Sequence, residues 1–191
     1  ETVAAGNEAN ARRQYLGNLA PLQEYEDVEI SVGDNIGGFT AELLTNSPEV
    51  VSVAVQSPTG ESQPLIPARQ GSSEEYRFLL EGTTVSISYS LGEFTREREL
   101  IFLRFTNPSK GIWRLRVYPE NYVTSRYHIW LPVTEFVQGD IFFLRSNPET
   151  TITGPASAYA PISVGGFNAS DDSLYLDSGR GYNLSLIHIS E

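Results

Sequence analysis

Few residues in this chain of 191 combine a reactive type with a setting that could use it. Asn7 is the first. It follows Val3-Ala4-Ala5-Gly6 and precedes Glu8, so a primary amide ends a run of small apolar residues. Gly6 permits a sharp turn that would face the amide into a cleft. The competing reading is a plain strand-ending turn, because Asn tolerates left-handed backbone. Ser178, in Asp177-Ser178-Gly179-Arg180-Gly181, invites a nucleophile reading, but it reads better as part of a turn. His128 lies in an aromatic, alternating stretch, and no Ser or Asp is patterned around it as a general base requires, so it reads as structural. The acidic clusters Glu24, Glu26, Asp27 and Asp171, Asp172 offer hard oxygen ligands suited to Ca²⁺. They lack the regular spacing of a dedicated loop and read as solvated charge, so no cofactor is expected.

The bulk numbers narrow the classes. The chain has 40% hydrophobic and 19% charged residues, a globular balance. The formal net charge of -11 argues against a nucleic-acid partner, which needs clustered Lys and Arg. The absence of Cys excludes disulfides, thiolate metal sites and cysteine nucleophiles. No apolar stretch reaches the length of about 18 residues that suggests a membrane-spanning helix. The chain starts at Glu1 and contains no Met, which reads as a truncated N-terminus.

The elements that must position Asn7 come next. Thr2 to Ala5 resembles the end of a buried parallel strand, and Ala9 to Gln23 reads as a loop or short helix leading out of one domain. From Asp27 the apolar period becomes two. Strands are expected around Val28–Val32, Phe39–Leu43, Val51–Val55, Tyr76–Leu80, Val85–Tyr89, Arg98–Phe105, Ile112–Tyr118 and Tyr127–Leu131. Turn signals such as Asn107-Pro108-Ser109-Lys110-Gly111 separate them. Eight short strands with little helical periodicity predict an antiparallel sandwich or jelly roll. After Asn147-Pro148 the pattern changes. Ala158 to Val164 is a nearly continuous apolar run, as in a parallel strand buried on both faces. The sandwich is thus bracketed by two pieces of something else. Residues 184–191, Leu-Ser-Leu-Ile-His-Ile-Ser-Glu, resemble read-through of a sequencing adapter and read as a non-native tail; the alternative is a final strand.

The bracketing pieces resemble the catalytic domain of subtilisin-like serine proteases (peptidase S8 family). Ala4-Ala5-Gly6-Asn7-Glu8 is similar to the family's strand and oxyanion turn, and Thr151-Ile152-Thr153-Gly154-Pro155 with Val164-Gly165-Gly166 to its later core strand. Strings inside the sandwich, among them Ser57-Pro58-Thr59-Gly60-Glu61, Gly111-Ile112-Trp113 and His128-Ile129-Trp130-Leu131-Pro132, resemble the clostridial Csp-type subtilases, which carry an inserted jelly roll. The resemblance implies a mainly β chain: an antiparallel β-sandwich (jelly roll) inserted between two pieces of an α/β subtilase domain. Expected boundaries are 1–23 for the first piece, 24–150 for the insert and 151–183 for the second piece. It implies that Asn7 supplies a side-chain N–H to the oxyanion hole and that Ala4, Ala5 and Gly6 wall the substrate side-chain pocket. Small residues there also suit a tight core, and that reading stays open. The family's Asp and His segments would precede Glu1, and its Gly-Thr-Ser would follow Asn183. The expected function is therefore a fragment, itself inactive, of a serine endopeptidase acting on peptide or protein substrates, secreted or spore-associated in a bacterium.

Two rivals stand beside this. A non-catalytic sandwich module could bind sugars on Tyr118, Tyr122, Tyr127 and Trp130. A pseudoprotease scaffold would keep the fold and lack the triad.

Overall fold

The computed structural model describes residues 2–46, 49–91, 98–120, 124–137, 139–153, 156–157 and 162–181. Fourteen strands are found among them. Ten build the sandwich: β2 (Gln14–Leu19), β3 (Glu26–Val32), β4 (Gly38–Asn46), β5 (Val51–Gln56), β6 (Ser73–Phe78), β7 (Thr83–Leu91), β8 (Arg98–Thr106), β9 (Gly111–Pro119), β10 (Ser125–Trp130) and β11 (Ile141–Phe143). One sheet runs β2-β10-β4-β8-β7-β6 and the other β11-β3-β9-β5, antiparallel throughout. The mainly β sandwich expected from the alternation is the fold observed.

The register explains the core. Period-two alternation sends every second side chain inward. In the smaller sheet Val28 lies opposite Leu115 and Ile30 opposite Trp113. In the larger, Phe39, Ala41 and Leu43 lie opposite Phe105, Leu103 and Ile101. All ten are buried in one apolar cluster with Val53, Val85, Ile87 and Tyr127. Trp113 anchors it. Its ring meets Phe78 and Phe105 edge-on at 5.1 and 5.6 Å, and its indole N–H donates to the Ser109 carbonyl at 2.9 Å.

Four expectations need correction. Ala9 to Gln23 is neither simple loop nor helix, because Gln14–Leu19 is the edge strand of the larger sheet. Its alternation is broken by Gly17, and this hides it. A Cβ on Gly17 would lie 2.0 Å from the Tyr127 ring, so the glycine exists to admit that ring. Leu80 is not inward: strand β6 stops at Phe78, and Leu79 and Leu80 are exposed in the turn that follows. Glu26 and Asp27 are not merely solvated. The Tyr15 and Tyr127 hydroxyls donate to the two Glu26 carboxylate oxygens at 2.6 and 2.7 Å, and Asp27 accepts from Arg116 at 2.8 Å. Burial, then the hydrogen bonds to Glu26, push both tyrosine pKa values up from their ordinary value. Finally, Tyr127 is fully buried and cannot join an aromatic platform. Trp130 stacks on His128 and Tyr118 packs on Tyr25, while Tyr122 lies outside the described residues.

Candidate functional site

The remaining strands stand apart from the sandwich sheets. Strand β1 (Thr2–Ala4) pairs in parallel with β12 (Ile162–Val164), Val3 opposite Ser163. Strands β13 (Phe167–Asn168) and β14 (Ser173–Leu174) form a small hairpin beyond it. A parallel pair cannot be made by a tight turn, and here the connection is the whole sandwich. The two ends of the sequence thus meet as one unit, which the resemblance to two pieces of one domain requires. The expectation of strands buried on both faces is not met: Ile162 and Val164 are 66% and 53% exposed. Residues 158–161 of that apolar run lie outside the described residues.

Hydrogen bonds fix the turn that carries Asn7. The Ala5 N–H donates to the Val164 carbonyl at 2.9 Å, continuing the parallel ladder one step. The Thr153 N–H donates to the Ala5 carbonyl at 3.1 Å, and the Gly179 N–H to the Gly6 carbonyl at 2.7 Å. Gly6 has φ +90, and a Cβ there would lie 2.3 Å from the Thr153 hydroxyl. Both facts require glycine. Three segments of the sequence, around residues 153, 164 and 179, therefore hold the turn through Ala5 and Gly6. Asn7 follows it, exposed, and its side chain has no hydrogen-bond partner among the described residues. Ala4 is exposed on the strand, Ala5 is buried and Gly6 half-buried. No acid, base or nucleophile touches Asn7 through a hydrogen bond or ion pair among the described residues.

Ser178 sits below this turn as a structural residue. It is 3% exposed, and its hydroxyl accepts the Gly166 N–H at 2.9 Å. Its role is to tie the Val164-Gly165-Gly166 end of β12 to the Ser178-Gly179 segment. His128 is buried on β10, where its Nδ1 is hydrogen-bonded with Gln14 Nε2 at 3.0 Å and its ring stacks on Trp130. No group of three or more His, Cys, Asp or Glu suited to hold a metal ion is found among the described residues. Around Asp171, hydrogen bonds from the Ser173 hydroxyl and N–H hold the carboxyl below its usual range, in an exposed turn. The 184–191 tail, with His188, lies outside the described residues.

Sequence reasoning missed one feature beside the turn. A cleft of about 340 Å³ opens between Glu8, Arg13, Gln14, the Trp130–Val133 stretch and Thr150–Thr153. It lies where the sandwich joins the paired ends. Arg13 gave no signal, because a cation inside a polar stretch looks like surface.

Among solved structures, the chain is similar to the Clostridium perfringens CspB protease. The TM-score is 0.81 and the identity 28%, over 94% of this chain and 37% of that one. This chain spans little more than a third of that protease. No protein-family model matches, and no curated protein matches. A chain similar to a stretch of a clostridial protease carries a protease-related fold. Among the described residues no helix is long and apolar enough to cross a membrane.

Proposed function

We propose that this chain is a stretch of a subtilisin-like serine endopeptidase, in which Asn7 donates to the oxyanion and Ala4, Ala5 and Gly6 wall the substrate pocket. The sandwich is then an insert of the catalytic domain, and residues around 2–9 and 151–181 belong to the host. The observation that carries this reading is the parallel pairing of Thr2–Ala4 with Ile162–Val164, with three backbone hydrogen bonds on Ala5 and Gly6 and Asn7 exposed just after them.

The chemistry follows from that position. Attack on a peptide carbonyl moves charge onto its oxygen. A fixed N–H aimed at that oxygen binds the transition state better than the substrate. Ala5 and Gly6 carry three backbone hydrogen bonds to distant segments, which favours a preorganised amide at Asn7. In subtilisin, the worked case for this effect, loss of such a donor lowers kcat by about 10²–10³. The hydrolytic Ser, His and Asp belong to segments that this chain does not contain, so the chain by itself has no peptidase activity. A secreted or spore-associated setting in a bacterium accompanies the reading.

The test is kinetic. In the protease that contains this stretch, Asn7→Ala lowers kcat about 10²-fold or more with KM little changed. An unchanged kcat would remove Asn7 from the mechanism. A folded protein that cleaves no peptide, with or without the substitution, would support a scaffold in place of an enzyme.

A further inference from the structure

The cleft beside the paired ends holds a carboxylate with no counter-charge of its own. Ala41 and Leu43 point into the core, so Glu42 between them faces outward from the larger sheet. It is exposed, it lines the cleft, and it makes no hydrogen bond or ion pair among the described residues. The other charged residues lining the cleft are Glu8 and Arg13. Burial lowers the Arg13 pKa from its ordinary value, and the nearby Glu8 charge opposes that shift. Those two charges offset each other, and Glu42 leaves the cleft net negative. Arg104 lies in the groove next door, with its guanidinium 6.0 Å from the Phe102 ring centroid.

Aromatic rings stand around that carboxylate. The strand register sets Glu42 directly opposite Trp130 on β10 and Phe102 on β8. Trp130 lines the cleft and is fixed there, stacked on His128 and donating its indole N–H to the Thr150 carbonyl at 3.2 Å. Phe136, at the end of the short 3₁₀ turn Thr134–Phe136, also lines the cleft and is 83% exposed, which leaves its ring open to a ligand. Pro132, Val133 and Ile152 add apolar surface. A free carboxylate, open aromatic surface and an apolar wall match one side chain better than others. A guanidinium stacks on an aromatic face and gives paired N–H donors to a carboxylate. Its aliphatic stem packs on apolar surface. We propose that this cleft binds an arginine side chain of a protein partner, with Glu42 accepting from the guanidinium and Phe136 against its plane. The cleft, about 340 Å³, has room for one long side chain. The formal net charge of -11 draws a basic partner toward it. The site uses sandwich residues and does not depend on Asn7 or on any peptidase activity.

The test uses the unaltered chain. N-acetyl-arginine amide and N-acetyl-citrulline amide, alike in shape and different in charge, are each titrated while the indole resonances are followed by ¹H–¹⁵N NMR. The chain has two tryptophans, and the fully buried Trp113 serves as the control for Trp130. The arginine amide should shift the Trp130 resonance saturably, leave Trp113 in place, and bind about fivefold tighter than the citrulline amide. Glu42→Gln should remove that preference with the Trp113 resonance unmoved, which shows that the core is kept. If the variant fails to fold, the arginine–citrulline pair decides on the unaltered chain. Equal binding of the two amides would overturn the proposal. So would a preference that survives Glu42→Gln, or no saturable shift at Trp130 with the arginine amide.

Discussion

The Ala5 N–H donates to the Val164 carbonyl at 2.9 Å, joining the first residues of the chain to a segment beyond the sandwich. Loop closure over so long a connection is entropically costly, and the sandwich offsets that cost by bringing its own ends together. Arg12 and Arg13 leave from one side, with the Arg12 carbonyl accepting the Phe143 N–H at 3.0 Å and the Arg13 carbonyl accepting the Leu131 N–H at 2.8 Å. The return is fixed by the Asn147 N–H donating to the Gln14 carbonyl at 2.9 Å. Close termini are what make a domain insertable.

Gly6 should control the paired ends without touching the sandwich core. Gly6→Ala places a Cβ against the Thr153 hydroxyl at positive φ. Amide hydrogen exchange should show Ala5 and Thr153 losing protection, with Leu103 unchanged. Equal loss at all three would mean that the ends and the sandwich unfold as one unit.

Gly17 should matter to the sandwich itself. Gly17→Ala drives a methyl into the buried Tyr127 ring. Overpacking of this kind costs about 1–3 kcal/mol. A urea midpoint identical to that of the unaltered chain would show that the ring moves aside freely.

Glu99 should make stability depend on pH. It is 3% exposed, and burial pushes its pKa up to about 7 despite the Val51 N–H at 2.9 Å, with Glu120 adding to the rise. The folded chain then holds a proton that the unfolded chain has already released. Stability is greatest below the ordinary carboxylate pKa and falls as pH rises towards about 7, by at most about 1.4 kcal/mol for each pH unit. Above that value the loss is complete. Urea melts from pH 4.5 to 7.5 should show the decline, and Glu99→Gln should flatten it. Parallel profiles for the two proteins would contradict the assignment.

The alternation from Asp27 to Leu131 made most of the sandwich legible, because its inward positions are mostly apolar, Thr45 and Glu99 apart, and its turns carry Pro, Asn and Gly. Strand β2 was not legible. Gly17 removes a side chain where the pattern needs one, and Arg13 and Gln14 are buried polar residues. Strand β11 was missed because three residues are too few to show a period. The turn at Gly6-Asn7 could be read from its glycine, but the hydrogen bonds on Ala5 and Gly6 join residues far apart in sequence, and no local pattern reports them. The cleft stayed invisible for the same reason: Arg13 and Thr150 meet only after folding.

The most direct measurement is the coding sequence on both sides of residues 1–183. The account predicts, in one reading frame, an upstream segment bearing the family's Asp and His and a downstream Gly-Thr-Ser in place of the 184–191 tail. A continuous frame in which those positions are absent or replaced would contradict an endopeptidase that uses Asn7 as its oxyanion donor.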